Sequence, residues 1–173
     1  MSIIENIFET VLGGGALALL FFLIREKCFP FPSIEGRWFI ETKTIVTEYN
    51  PYMNMILIYE IMIWREGNTI KGTAEKIYEN SSGKKGDYTG KNRTQSKIEG
   101  NIEKRYFGKD RIYLHFVEQG FKRESTAIFE LIYKGKFRNR DKATMSGKFY
   151  STAGDSNGKA HARKKRSPYY FML

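Results

Sequence analysis

Three places in the chain set a cation beside an aromatic ring: Arg105-Tyr106, Arg111 with Tyr113, and Tyr133-Lys134. Phe121, Lys122 and Arg123 repeat the combination in a predicted turn. A guanidinium or ammonium binds phosphate, and a flat ring stacks on a base, so a nucleotide ligand needs this pairing. The candidate binding residues are therefore Arg105, Tyr106, Arg111, Tyr113 and Arg123. Basic β domains hold such neighbours by chance as well, and composition is the competing explanation.

Covalent chemistry has far less to work with. His115 and His161 fall on separate predicted strands, and Cys28 is the single cysteine. No nucleophile elbow, phosphate-binding glycine loop or metal-ligand spacing is present. Glu41, Glu60, Glu99 and Glu130 form no recognisable acid–base pair. The expectation is a binding protein rather than an enzyme, with no cofactor and no metal. One cysteine also excludes an internal disulfide.

The charge supports binding of anions. The 173 residues carry 29 Lys and Arg against 19 Asp and Glu, a net +10. The first 32 residues hold Glu5, Glu9 and Glu26 against Arg25 and Lys27, so the remainder carries +11. Such a surface favours nucleotides, nucleic acid or anionic headgroups.

These residues lie on a chain that reads as strands from Gly36 onward. Thr, Ile, Tyr, Phe and Val are abundant, and turn signals recur at short intervals. Eight strands are expected near 36–46, 54–65, 69–78, 95–106, 111–119, 125–137, 142–150 and 158–163. Only the loop Glu79–Lys91 is long. Hairpin spacing makes successive strands antiparallel neighbours, and closure removes exposed edges. The fold class is therefore all-β, an eight-stranded antiparallel up-and-down barrel. In the fifth strand Ile112, Leu114 and Phe116 face one way and Tyr113, His115 and Val117 the other. The second strand, with Ile56 to Tyr59 and Ile61 to Trp64, is apolar on both faces. It should pack against something outside the barrel: the N-terminal segment, lipid or a second subunit.

That N-terminal segment is uncharged from Thr10 to Ile24 and is followed at once by Arg25, Glu26 and Lys27. It reads as a single transmembrane helix, extended by Ile3, Ile4, Ile7 and Phe8, with Phe29 and Phe31 as interfacial anchors. Its basic residues lie on the C-terminal side, which places the barrel in the cytoplasm. Gly13, Gly14 and Gly15 would let helices approach and self-associate, with Phe21 and Phe22 facing lipid. The expected organisation is an anchor over 1–28, a Pro-containing spacer over 29–35, the barrel over 36–166 and a tail end over 167–173. The tail, Ala162 to Arg166 and then Pro168 to Leu173, joins basic to aromatic residues, suiting a membrane surface or nucleic acid.

Two resemblances add to this. Gly36-Arg37-Trp38 opens the first strand and Arg163 ends the last, which resembles the lipocalin-like, or calycin, barrels. That resemblance implies Trp38 and Arg163 as a structural cation–π pair closing one barrel end. The layout as a whole resembles the CBASS-type membrane effectors of bacterial antiphage signalling. The span Val11–Ile24, the Gly36-Arg37-Trp38 opening and the hairpin from Ser146-Gly147-Lys148-Phe149-Tyr150 to Gly158-Lys159-Ala160 carry it. It implies a barrel that senses a cyclic oligonucleotide, made by a partner nucleotide cyclase, and an anchor that forms homo-oligomers and disrupts the bacterial inner membrane. The chain has one such segment where two are usual in that group. The alternatives are a membrane-tethered carrier of lipid or another hydrophobe, and a basic adaptor for protein or nucleic acid.

Overall fold

The computed structural model describes residues 3–24, 31–105, 108–120, 124–136 and 139–166. The chain divides into two compact units, Met1–Phe31 and Pro32–Leu173.

The first unit holds one helix, α1, over Ile3–Leu23. Among the described residues, no helix is long and apolar enough to cross a membrane. The single-pass placement in a bacterial inner membrane is therefore corrected. The physical reason is length. The uncharged part of α1 starts only at Thr10, after Glu5 and Glu9. At about 1.5 Å per residue it covers about 21 Å, while a bilayer's hydrocarbon core is about 30 Å thick. Phe21 and Phe22 are exposed, at 68% and 58%. A side chain at Gly13, Gly14 or Gly15 would meet nothing within 4 Å. Arg25 to Pro30, including Cys28 and Phe29, lie outside the described residues, as does the tail end over 167–173.

The second unit is the barrel. Its strands are β1 Gly36–Val46, β2 Ile56–Glu66, β3 Thr69–Asn80, β4 Lys85–Asp87, β5 Gln95–Glu103, β6 Arg111–Gln119, β7 Glu124–Lys136, β8 Asn139–Ser151 and β9 Ser156–Arg163. Eight of them form a closed antiparallel meander, in which β1 pairs with both β2 and β9 and β2 with β3. The ninth, β4, is an addition to the expected eight. It folds back from the long loop and pairs Lys85 with Asn80 and Asp87 with Tyr78.

Strand alternation sorts the side chains. Along β6, Ile112, Leu114 and Phe116 are buried and His115 is exposed. Phe116, Phe129 and Phe149 meet across the lumen, with ring centroids 4.6 and 6.0 Å apart in sequence, and Tyr59 sits edge-on to Phe116 at 5.8 Å. These rings fill the middle of the barrel. Gly147 faces inward too, opposite buried Leu131, and a Cβ there would collide with the backbone carbonyl of Glu130.

One end is closed by Trp38, which is fully buried and donates from Nε1 to the Ile34 carbonyl at 2.5 Å. The cation over its ring is Lys164, with Nζ 4.4 Å from the centroid and also donating to the Glu35 carbonyl at 2.5 Å. Arg163 instead turns outward and pairs with Glu41 at 3.5 Å. The expected Trp38–Arg163 pair is thus corrected by one residue, for a reason of parity. Ala160 and Ala162 point inward along β9, so Arg163 shares the outer face with His161. The imidazole of His161 is held below the usual histidine range by burial first, then by the charges of Arg163 and Lys134. Lys164→Met should cost about 1–2 kcal/mol of stability. Arg163→Met should cost less than Lys164→Met in the same urea titration.

The second strand divides. On its outer face Ile56 and Ile58 are buried within this one chain, so they need no second subunit, whereas Met62 and Trp64 are about half exposed at 49% and 45%. Beyond β9 the chain reaches back along this side, and Arg166 pairs with Asp87 of β4.

Candidate functional site

The residues singled out from sequence come together only in part. Arg111 pairs with Glu130 at 3.1 Å, and Lys148 shares the same carboxylate at 3.1 Å. Arg105 pairs with Glu103 at 2.9 Å, and the Tyr113 hydroxyl donates to Glu103 at 3.0 Å. Arg105 and then Tyr113 hold the Glu103 carboxyl below the usual range. This is a cluster on the outer wall near the closed end. Both described cations already have carboxylate partners, which suits a surface ion-pair network better than a phosphate site. Tyr106 and Arg123 lie outside the described residues. Of the carboxylates considered alone, Glu60 and Glu130 enter ion pairs on the outer wall and Glu99 pairs with Lys97. Among the described residues no group of three side chains is arranged to hold a metal ion.

The other end of the barrel is built differently. The inward stripe of β3 runs Ile70, Gly72, Ala74 and then Lys76. The inward stripe of β6 runs Ile112, Leu114, Phe116 and then Glu118. Each is apolar until its last member, and the two polar members lie at the same end. Lys76 Nζ meets Glu118 Oε1 at 2.5 Å, with both side chains only 16% exposed. Strand β5 lies between β3 and β6, so this pair spans the inner wall. The Tyr59 hydroxyl donates to Glu118 Oε2 at 3.3 Å. Glu79 accepts from the Tyr88 hydroxyl and, at 2.8 Å, from Ser81. Burial first, and then Glu118 and Glu79, push the Tyr59 phenol well above its ordinary range. Burial and Glu79 likewise raise Tyr88. Both phenols therefore stay protonated and act as donors near neutral pH.

Lys76, Glu118, Tyr59 and Glu79 line a cavity of about 90 Å³, together with Thr42, Leu57, Phe129 and Ser156. It is a polar mouth above an aromatic floor. Its volume is below the roughly 300–1,000 Å³ usual for a whole ligand. A cavity of that size has room for one chemical group rather than for a whole ligand. The rim carries rings and cations. Tyr49 packs edge-on to Tyr52 at 4.9 Å, and Lys84 Nζ sits 3.7 Å from the Tyr88 ring centroid. Lys84, Lys85 and Lys91 are exposed.

Sequence reasoning passed over this site because Glu118 comes from a strand distant in the chain from Lys76 and Glu79. A signal was present. Polar residues close two inward stripes that are otherwise apolar, and equal strand polarity puts both at one barrel end.

Comparison with protein-family models, with curated proteins and with solved structures finds no match to this chain.

Proposed function

We propose that the chain is a ligand sensor whose barrel takes a cyclic oligonucleotide at its open end and whose α1 helices self-associate as the output. The role we assign it is that of an effector in antiphage signalling, with a nucleotide cyclase supplying the ligand. The observation that carries the reading is the open end itself. A closed barrel ends there in a polar pocket with Tyr52 and Tyr59 in its lining, and Lys84 lies over the ring of Tyr88, which donates to the lining carboxylate of Glu79. Phosphates find exposed ammonium groups at Lys84 and Lys85, and bases find rings. The +11 charge of the chain after residue 32 draws anions towards it.

Helix α1 supports the output half. A run of three glycines weakens a helix in water, and α1 exposes Val11, Leu12, Leu17, Leu19 and Leu20. Packing against copies of itself would cover that apolar surface. A ligand changes this association only if it binds the associated and separate forms unequally.

The carrier reading loses ground. A hydrophobe carrier needs an open apolar lumen, and here Phe116, Phe129 and Phe149 occupy the middle of the barrel.

The test is calorimetry of the full chain against a panel of cyclic di- and trinucleotides. One or more should bind, and the joint change Lys84→Glu and Lys85→Glu should weaken that binding at least tenfold. Absence of binding to every member removes the sensing half. Sedimentation with and without the bound member tests the output, which should disappear when Gly13, Gly14 and Gly15 are replaced by Leu.

A further inference from the structure

The mouth of the barrel has a sign opposite to that of the chain around it. Its inner wall carries two carboxylates, Glu79 and Glu118, against one ammonium, Lys76. Lys76 is already committed to Glu118. The other partners of these carboxylates, Tyr59, Tyr88 and Ser81, are neutral hydroxyls that donate hydrogen bonds without cancelling charge. An ionised carboxylate offers about four acceptor positions, so each retains room for another donor.

A phosphate offers acceptors only and would meet two negative groups here. A head group rich in N–H donors meets acceptors instead. From this we infer that the lumen reads hydrogen-bond donors: it takes the donor edge of a guanine-type base, or the equivalent edge of a small guanidine, while any phosphates remain outside at the rim lysines. This rests on the proposed site but specifies what enters it. The size agrees, because about 90 Å³ admits a head group and excludes a whole nucleotide. The geometry also divides the work. The rim supplies affinity for charge that does not distinguish bases, and the carboxylates supply selection, since a ligand without the donor edge leaves them unsatisfied.

Three probes, cyclic di-GMP, cyclic di-UMP and methylguanidine, are titrated into the full chain and into Glu79→Gln and Lys76→Met variants. Cyclic di-GMP should bind at least tenfold more tightly than cyclic di-UMP. Glu79→Gln should weaken cyclic di-GMP about tenfold and leave cyclic di-UMP unchanged. Lys76→Met, which frees Glu118, should strengthen methylguanidine. Each variant is first melted to confirm that it is folded, and the pair keeps the test open if one is not. Equal binding of the two cyclic dinucleotides, with Glu79→Gln silent, overturns the inference and leaves the sensor standing. Binding of methylguanidine alone sustains the inference and removes the cyclic oligonucleotide. Binding of none of the probes overturns the inference, while the sensor reading is still decided by the wider panel.

Discussion

Phe129→Ala should lower the free energy of unfolding by about 3–5 kcal/mol. Phe129 is fully buried and is the central member of the ring series that fills the lumen, 4.6 Å from Phe116 and 6.0 Å from Phe149 between centroids. Truncation removes the ring's own burial and leaves its neighbours facing a void. A closed barrel collapses poorly onto such a void, because hydrogen bonds on both sides fix each strand. The comparison is Ile128→Ala, one residue away on the outer wall and 50% exposed. That change should stay within about 0.5 kcal/mol. Urea midpoints at an unchanged slope measure both. Equal losses at the two positions would mean that the barrel core is not where the rings meet.

The second large effect is expected at the mouth. Glu118→Ala should cost about 2–3 kcal/mol, because it leaves the largely buried Lys76 ammonium and the buried Tyr59 hydroxyl without their acceptor. The pair keeps some access to water, which places the figure below that for a fully buried pair. Adding Lys76→Met to Glu118→Ala should recover most of the loss, bringing the double variant within about 1 kcal/mol of the original chain. A double variant as unstable as the single one would show that the two side chains act independently.

The strand framework was legible from the sequence because barrel strands obey a period of two and turns mark their ends. At β1 and β6 the expected bounds agree with the structure to the residue, since Gly36 and Gly120 with Asp110 bracket clean alternation. Strand β4 was not legible. It lies in a stretch of Ser, Gly and Lys with no apolar pattern, and its pairing depends on Asn80 turning back through Ser81 and Lys84. The arginine expected over Trp38 was misplaced because sequence alone does not show whether β9 ends facing in or out. Helix α1 was read as an anchor from its lack of charge, but the uncharged length is what limits it. The candidate site was the least legible part. Neighbours such as Arg105 and Tyr106 are adjacent in sequence, yet side chains that share a site in a barrel come from different strands. The ion pair between Lys76 and Glu118 joins two strands that are not themselves paired, and such a relation exists only once the sheet has closed.

Strand β4 has one more consequence. A closed barrel offers no free row of amide and carbonyl groups, but β4 stands last in the strand order and has a partner on one side only. It is where a strand from another molecule could be templated. A helix that gathers copies together would raise local concentration and make such templating a standing hazard. The edge is three residues long, begins at Lys85 and runs through Gly86 at φ 156°, a backbone angle few other residues adopt. Short, charged and bent, it gives an incoming strand little to copy. Assembly of the proposed kind can therefore proceed through α1 without passing into backbone-paired polymer at β4.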